Sequence, residues 1–167
     1  ALSLPSPTHY LGAVLQAADA DLSSLSVVLD CANGAAAPWA RQIFGRVCGA
    51  VTMLGDQPNG TNINDGVGST NPDALVKAVR ESGADIGLAF DGDADRLIAV
   101  DHAGGIVDGD RILALLATDR KRRGKLAHDT VVVTQMSNLG FLRAMESANI
   151  NVVVTAVGDR YVLEAMA

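Results

Sequence analysis

Short apolar runs rich in valine, isoleucine and leucine recur along this chain, and most of them are separated by segments with helical periodicity. The runs predict strands at residues 25–30, 50–54, 85–90, 97–101, 130–134 and 151–155. Apolar side chains at helical spacing predict helices near residues 8–20, 36–48, 72–83, 109–123 and 139–148. Alternating strands and helices are typical of an α/β fold, because a helix usually connects two parallel strands. The sequence therefore predicts a mixed, mostly parallel sheet with flanking helices.

The segment 72–83 is the clearest of the predicted helices. Asn71 precedes it as a candidate N-cap, Pro72 suits a first helical position, and Gly83 is a typical C-terminal stop. Leu75, Val76 and Val79 form an apolar stripe along one side of this segment, as expected of an amphipathic helix.

A glycine-rich turn interrupts the alternation. Gly104 and Gly105 separate the strand at 97–101 from a short apolar pair at 106–107. This spacing is typical of a β-hairpin, so we expect an antiparallel pair within the otherwise parallel sheet. Asp108 follows as a candidate helix cap, and the pattern of helices and strands starts again there.

This restart divides the chain into two predicted domains. Residues 1–106 contain four of the six predicted strands and form one complete domain. Residues 107–167 contain only two, and a two-stranded sheet is seldom stable by itself. We therefore expect the second region to be the start of a truncated α/β unit.

Charge and apolar content argue against two classes of partner. The 167 residues carry 13 basic and 19 acidic side chains, a net charge of −6, and the one dense basic cluster, at 120–125, contains no aromatic residue. Nucleic acid is therefore not an expected partner. No apolar stretch approaches the roughly 18 residues that a membrane span requires. Because two cysteines, Cys31 and Cys48, are too few for a disulfide framework, we expect a cytoplasmic protein without membrane contact.

The segment 91–96 carries the strongest chemical signal and directly follows a predicted strand. It reads Asp-Gly-Asp-Ala-Asp-Arg, so three carboxylates alternate with two small residues, and a looped backbone can direct all three to one point. Converging negative charges require a cation, and hard oxygen ligands favour Mg²⁺ or Mn²⁺. Asp91, Asp93 and Asp95 are therefore predicted to bind a metal, with Mg²⁺ as the expected ion and Mn²⁺ as an alternative.

Other loops with similar spacing fit this sequence less well. A calcium-binding EF-hand loop needs Gly at its sixth position and Glu at its twelfth, where this chain has Arg96 and His102. A phosphatase loop of the haloacid dehalogenase type also begins Asp-x-Asp but usually continues with a small hydroxyl residue, unlike Ala94 and Asp95. A loop of solvated aspartates without a metal is the simplest alternative.

Arg96 has two alternative roles. A guanidinium beside a metal site is well placed to bind a phosphate through paired hydrogen bonds. It is equally suited to an ion pair with one of the loop aspartates. The sequence does not decide between these roles.

Several segments together resemble one family. The loop at 91–96 is followed by Leu-Ile-Ala-Val-Asp, a Gly-Gly turn and Val-Asp-Gly-Asp-Arg, and this succession resembles the second domain of the α-D-phosphohexomutase superfamily. Further similar segments lie at 27–34, 58–64, 68–72, 135–138 and 157–162. The resemblance covers nearly the whole chain and is closest to the phosphoglucosamine branch of the superfamily.

The resemblance implies an enzyme with four domains around a central cleft, of which this chain holds the second and the start of the third. The family's phosphoserine loop and its sugar- and phosphate-binding loops belong to other parts of the enzyme. Asp91, Asp93 and Asp95 would bind Mg²⁺ together with a phosphoserine oxygen. Arg96 would contact a phosphate, and Asp159 with Arg160 would face the substrate or act as general acid or base, with a structural cap as the alternative.

The implied activity is an isomerase step that interconverts glucosamine 6-phosphate and glucosamine 1-phosphate through a bisphosphorylated sugar, in the synthesis of peptidoglycan precursors. The expected partners are a phosphorylated hexosamine and the missing domains of the same protein. By itself the fragment is expected to be inactive. Alternatives are a member of the phosphomannomutase/phosphoglucomutase branch, a metal-dependent phosphatase, and a non-catalytic module that binds calcium or an anion.

Overall fold

The computed structural model describes residues 7–18 and 20–167, with side chains from residue 9 onward. The chain divides into two compact units, Ala1–Val107 and Asp108–Ala167. Both units combine strands with helices, which confirms the predicted α/β class. Among the described residues, no helix combines the length and the apolar character that crossing a membrane requires.

The first unit is built on a five-stranded sheet. Its elements are α1 (Pro7–Ala17), β1 (Leu22–Asp30), α2 (Ala37–Val47), β2 (Cys48–Leu54), α3 (Asp73–Ser82), β3 (Ile86–Phe90), β4 (Leu97–Asp101) and β5 (Ile106–Val107). The strands lie in the order β2-β1-β3-β4-β5. Strand β1 is parallel to β2 and β3, whereas β3-β4 and β4-β5 are antiparallel pairs. The antiparallel hairpin that the glycine-rich turn predicts is therefore present.

Alternation along β1 divides the core of this unit between the two faces of the sheet. Val28 packs with Leu75 and Val79 of α3, whereas Val27 and Leu29 belong to the cluster on the side of α2. Successive side chains of a strand point to opposite faces, so both faces of β1 are covered. Because β1 and β3 are parallel neighbours, the loops that follow them lie at the same edge of the sheet.

Helix α3 differs from its prediction at one end. It begins at Asp73, with Pro72 in the N-cap position and no capping bond from a side chain. The prediction of Asn71 as the cap is wrong, because its main-chain N–H donates to the carbonyl oxygen of Gly68 at 3.0 Å and Asn71 thus belongs to the preceding turn. The predicted C-terminal stop is confirmed, since Gly83 has a left-handed φ of 67°.

The second unit contains a smaller sheet. Its elements are α4 (Gly109–Arg122), a 3₁₀ turn (Ala127–Asp129), β6 (Thr130–Thr134), α5 (Leu139–Ser147), β7 (Asn151–Thr155) and α6 (Asp159–Met166). Strands β6 and β7 are parallel. The side chains of Asp108 and Asn138 cap α4 and α5 by accepting a main-chain N–H. Its core consists of Ala117, Val133, Phe141, Met145 and Ile150. Helix α6 lies outside the helices that the sequence pattern predicts.

Candidate metal centre

The segment 91–96 connects β3 to β4. These strands are antiparallel and their end residues, Phe90 and Leu97, are paired, so the chain reverses direction within this short loop. Ala94 adopts the left-handed region with a φ of 63°, which is uncommon for a residue other than glycine. The turn therefore crowds the acidic side chains of the loop.

The structure brings Asp91, Asp93 and Asp95 together. One carboxylate oxygen from each residue lies within 4.8 Å of the other two. Asp91 is buried, whereas Asp93 and Asp95 are exposed. Neighbouring ligands of an octahedral Mg²⁺ ion lie about 3 Å apart and opposite ligands about 4.2 Å apart, so the carboxylates have to rotate toward one another to bind one ion together. Three hard oxygen donors on an open turn fit a small divalent cation.

The pKa values of the loop carboxylates move in opposite directions. Burial opposes the ionisation of Asp91, but hydrogen bonds from Arg96 and the charge of its guanidinium outweigh burial and lower the pKa of Asp91 to about 2. Partial desolvation is the largest cause that raises the pKa of Asp95, and repulsion from Asp93 and Asp91 adds to it. The loop thus concentrates negative charge that a divalent cation would offset.

Arg96 pairs with Asp91 in this structure. Its Nε donates to Asp91 Oδ2 at 2.6 Å, and its main-chain N–H donates to Asp91 Oδ1 at 3.0 Å. The same Nε lies 3.6 Å from Asp95 Oδ1. The Arg96 side chain is nevertheless 70% exposed, so pairing through Nε leaves the guanidinium open to a further ligand.

Two neighbouring segments hold the main chain of the loop. The N–H of Ala35 donates to the carbonyl oxygen of Gly92 at 2.8 Å, and the N–H of Ser69 donates to that of Phe90 at 2.9 Å. These two carbonyl groups lie on either side of Asp91 in the chain. Sequence reasoning missed both contacts, because the donors are distant in sequence and donate through the backbone, which leaves no side-chain signal.

Asp159 and Arg160 lie in the second unit. They form the first turn of α6, and both are exposed. Arg160 Nε donates to Glu164 Oε1 at 2.7 Å, one turn further along the same helix. A substrate-facing role for Asp159 and Arg160 stays a prediction.

A largely apolar groove of about 440 Å³ opens beside the acidic loop. Tyr10 and Trp39 line it together with Asp93 and Ala94, and the two aromatic rings meet edge to face with centroids 5.4 Å apart. None of the described residues that line the groove is basic. The positive charge next to this groove comes from Arg96 in the loop itself, whose side chain is 70% exposed.

Sequence models of one family match consecutive parts of the chain. Residues 8–105 match the model described as phosphoglucomutase/phosphomannomutase, alpha/beta/alpha domain II, and residues 108–167 match the model for domain III. The two matches together cover most of both structural units.

Curated relatives with high identity include phosphoglucosamine mutases. The chain is 55% identical over 157 residues to the phosphoglucosamine mutase of Bacillus licheniformis, a match that covers 94% of the chain and 35% of the relative. It is 56% identical over 146 residues to that of Streptococcus pyogenes serotype M5, covering 87% of the chain and 32% of the relative. The chain thus spans about a third of the length of these relatives.

Solved structures with similar folds carry related names. A phosphoglucomutase/phosphomannomutase family protein from Burkholderia thailandensis is 25% identical with a TM-score of 0.78, over 95% of this chain and 34% of the other. A putative phosphomannomutase from Thermus thermophilus is 21% identical with a TM-score of 0.69, over 89% of this chain and 36% of the other. The second likeness concerns the fold alone.

Proposed function

The chain belongs to the phosphoglucomutase/phosphomannomutase family, and we propose that it forms the metal-binding part of a phosphoglucosamine mutase. The observation that carries this proposal is the cluster of three carboxylates at 91–95 in a chain that shares 55% and 56% identity with two phosphoglucosamine mutases. The proposed reaction interconverts glucosamine 6-phosphate and glucosamine 1-phosphate through a bisphosphorylated sugar and a phosphoserine of the same protein.

Asp91, Asp93 and Asp95 are the proposed ligands of Mg²⁺, or of Mn²⁺ as an alternative. Asp91 is a fixed and ionised ligand, because it is buried and its pKa is about 2. Asp93 and Asp95 are exposed and free to rotate toward the ion. A divalent ion bound there would offset the negative charge of a phosphoryl group during its transfer. The three aspartates leave the other coordination positions to water and a phosphoryl oxygen.

Arg96 is proposed to bind a phosphate with the part of its guanidinium that Asp91 does not use. Its 70% exposed side chain supports this role, and Asp91 fixes its orientation through Nε. Planar guanidinium groups bind phosphate through paired hydrogen bonds. Asp159 and Arg160 are proposed to contact the substrate, which their exposed position at the start of α6 allows.

The proposed reaction also requires other regions of a longer protein. This chain spans 35% and 32% of two relatives, and the phosphoserine and sugar-reading loops implied by the family resemblance have no counterpart in its sequence. We therefore propose that the 167 residues by themselves are inactive and that the remaining domains of the same protein are their partners. The proposed location of the protein is the cytoplasm, where phosphorylated hexosamines are metabolised.

A chimeric enzyme tests this proposal. This chain would replace the matching part of the Bacillus licheniformis phosphoglucosamine mutase, to which it is 55% identical. We expect the chimera to convert glucosamine 6-phosphate, because the host enzyme supplies the remaining domains and this chain supplies the proposed metal ligands; a folded chimera without activity would contradict the proposal. In the chimera, Asp93→Asn should lower turnover at least about a hundredfold, because the step depends on a metal ligand.

Asp65→Asn is the matched control for this chimera. Asp65 is an exposed aspartate outside the acidic cluster, so the substitution makes the same charge change without removing a proposed ligand. Circular dichroism would verify that each chimera is folded. Equal turnover in the Asp93→Asn and Asp65→Asn chimeras would contradict the assignment of Asp93 as a metal ligand.

A further inference from the structure

Asp30, the last residue of β1, is a fully buried carboxylate outside the acidic triad, with an exposed fraction of 0%. Its Oδ1 accepts the N–H of Ala32 at 2.9 Å, and its Oδ2 accepts the N–H of Gly68 at 2.8 Å. A buried carboxylate is costly unless its oxygens are bonded, and here main-chain donors satisfy both of them. Asp30 thus joins two segments that are distant in sequence.

Residues that follow in each of these two segments donate hydrogen bonds to the main chain at Phe90 and Gly92, on either side of Asp91. Ser69, which follows Gly68, donates its N–H to the carbonyl oxygen of Phe90 at 2.9 Å. On the other side, the turn that contains Ala32 leads to Ala35, whose N–H donates to the carbonyl oxygen of Gly92 at 2.8 Å. Two peptide groups, the one between Phe90 and Asp91 and the one between Gly92 and Asp93, are therefore each held by a segment that is bonded to Asp30 or that continues from such a segment.

Close backbone packing makes these links stiff. A Cβ on Gly68 would lie 2.8 Å from the carbonyl oxygen of Phe90 and 2.6 Å from the Cβ of Ala32. A Cβ on Gly55 would lie 2.7 Å from Oδ1 of Asp30, so the carboxylate itself has little space to move. Displacement at Asp30 therefore cannot be absorbed locally, because well-packed interiors transmit strain.

The turn after β1 is conformationally strained. Ala32 and Asn33 adopt left-handed φ values of 53° and 49°, a region of the backbone that is unfavourable for residues other than glycine. Such a turn persists only where its surroundings determine it, and the bond from the N–H of Ala32 to Asp30 is one of the contacts that do so. Another is the N–H of Asn33, which donates to the carbonyl oxygen of Gly55 at 2.6 Å.

We propose that Asp30 is a positioning residue for the metal triad: its carboxylate sets the place of both segments that hold the backbone on either side of Asp91. This inference rests on the proposed metal site. Asp30 acts through the backbone and does not itself contact the ion. Residues that orient metal ligands in this indirect way typically change metal affinity by about ten- to a hundredfold when they are replaced.

The test compares Asp30→Asn with Val79→Ala in this 167-residue chain. Asparagine keeps the shape of the side chain but places an amide donor against a main-chain N–H. Val79 is also fully buried in the first unit, on the α3 side of the sheet, and its apolar side chain makes no hydrogen bond, so its truncation lowers stability without removing a hydrogen bond from Asp30. We expect Asp30→Asn to bind Mn²⁺ about tenfold more weakly than the parent, with Val79→Ala unchanged under conditions where both variants are folded.

The NMR resonances of the main-chain amides in the metal-free protein provide the second readout. We expect Asp30→Asn to shift the resonances of residues 90–96, and Val79→Ala to leave them in place. Unshifted loop resonances in Asp30→Asn, or equal Mn²⁺ affinity in the two variants, would overturn the positioning role. If the parent binds no Mn²⁺, the proposed metal site fails, whereas the resonances still decide whether Asp30 positions the loop.

If the Asp30→Asn variant does not fold, the test is made on the parent protein instead. Saturating Mg²⁺ should then slow hydrogen exchange at the amides of Ala32 and Gly68, because ligand binding stabilises whatever is coupled to the site. The amide of Val152, in the second unit, is the internal reference. Exchange at Ala32 and Gly68 that changes no more than at Val152 would overturn the inference.

Discussion

Arg96 and Asp91 form a close ion pair inside the candidate metal centre. Two bonds hold the Asp91 carboxylate, one from the Arg96 guanidinium and one from the Arg96 main chain. Only the first depends on the side chain, so a substitution at Arg96 removes a positive charge while the main-chain bond continues to orient Asp91. The two alternative roles of Arg96 therefore predict different behaviour in a variant.

Arg96→Gln should change metal binding and catalysis in opposite directions. Without a cation next to the triad, Mn²⁺ should bind severalfold more tightly, because like charges repel at short range. Turnover of the chimeric enzyme should nevertheless fall at least about tenfold, since a phosphate contact is lost. Calorimetry and a coupled assay measure the two effects. Tighter Mn²⁺ binding with unchanged turnover would show that Arg96 forms the ion pair with Asp91 but does not contact a phosphate.

Cys31 should behave as a thiol that is protected by the fold. Burial is the largest cause that raises its pKa to about 12, and repulsion from Asp30 and Asp56 adds to it. The unfolded thiol ionises near its ordinary pKa of 9.0, so this residue contributes stability below pH 9 that is lost as pH rises toward 12. We expect a thiol reagent at pH 8 to label the half-buried Cys48 first, and Cys31 only after unfolding in urea.

Cys31→Ala is the control for this pH dependence. Urea unfolding of the parent should lose more stability than the variant between pH 9 and pH 12, because only the parent carries the buried thiol. Parallel pH profiles for the two proteins, or rapid labelling of Cys31 in the native state, would show that this thiol is accessible.

The triad could be predicted from the sequence because alternating acidic and small residues directly after a strand form a local signal. Asp30 could not, since an aspartate at the end of a strand is usually exposed. Its burial depends on Gly55 and Gly68, which approach it from distant parts of the chain. The ion pair of Arg96 was one of two alternatives, and local sequence carried no information to choose between them.

At the scale of elements, the parallel pairing of β1 with β3 positions the site. Asp30 of β1 is paired with Ala89 of β3, so the ends of both strands lie side by side. The loop between β2 and α3 approaches the same edge, where Gly68 fits between Ala32 and Phe90. Gly68 has a φ of 85°, and a side chain there would meet neighbours on both sides.

Gly68→Ala should therefore destabilise the first unit more than Gly60→Ala. Both glycines have positive φ values, but a Cβ on Gly60 would meet nothing within 4 Å. We expect Gly60→Ala to cost about 1 kcal/mol for backbone strain alone, and Gly68→Ala to cost about 3 kcal/mol because steric overlap is added. Urea unfolding, monitored by Trp39 fluorescence, measures both losses of stability. Equal losses would show that the contacts of Gly68 relax without cost.

The elements themselves were largely predictable, because hydrophobic periodicity is a local property of a chain. The errors occurred where local preferences compete. Asn71 is a good helix cap by type, but asparagine also favours turns, and here it belongs to the turn that begins at Gly68. Helix α6 was missed because eight residues provide only about two turns of periodicity. The strand order β2-β1-β3-β4-β5 depends on contacts between distant segments, which periodicity does not report.

At the scale of the whole molecule, each of the two units matches its own domain of the phosphoglucomutase/phosphomannomutase family. The chain spans only about a third of the curated phosphoglucosamine mutases that it matches. The proposed metal site in the first unit and the proposed substrate contacts at Asp159 and Arg160 in the second do not amount to a complete active site. Activity is therefore expected only in the context of the longer protein.

The isolated 167-residue chain should not convert glucosamine 6-phosphate to glucosamine 1-phosphate, with or without Mg²⁺. It carries no residue that we assign as the phosphorylated serine, so the chain can neither give a phosphoryl group to the substrate nor accept one from a bisphosphorylated sugar. A coupled assay with added bisphosphorylated sugar measures this, and the intact Bacillus licheniformis relative is the positive control. Turnover by the chain itself would contradict the proposal that the phosphoserine lies in another part of the protein.

Mn²⁺ or Mg²⁺ titration of the parent chain, Asp93→Asn and Asp65→Asn tests the central claim most directly. Three carboxylates form a partial cage, so we expect the parent to bind with a Kd on the order of tenths of millimolar to millimolar. Asp93→Asn should bind at least about tenfold more weakly, because it loses a charged ligand, while its fold and the affinity of Asp65→Asn stay unchanged. Equal binding by the parent and Asp93→Asn would contradict the account and leave the three aspartates as a solvated loop.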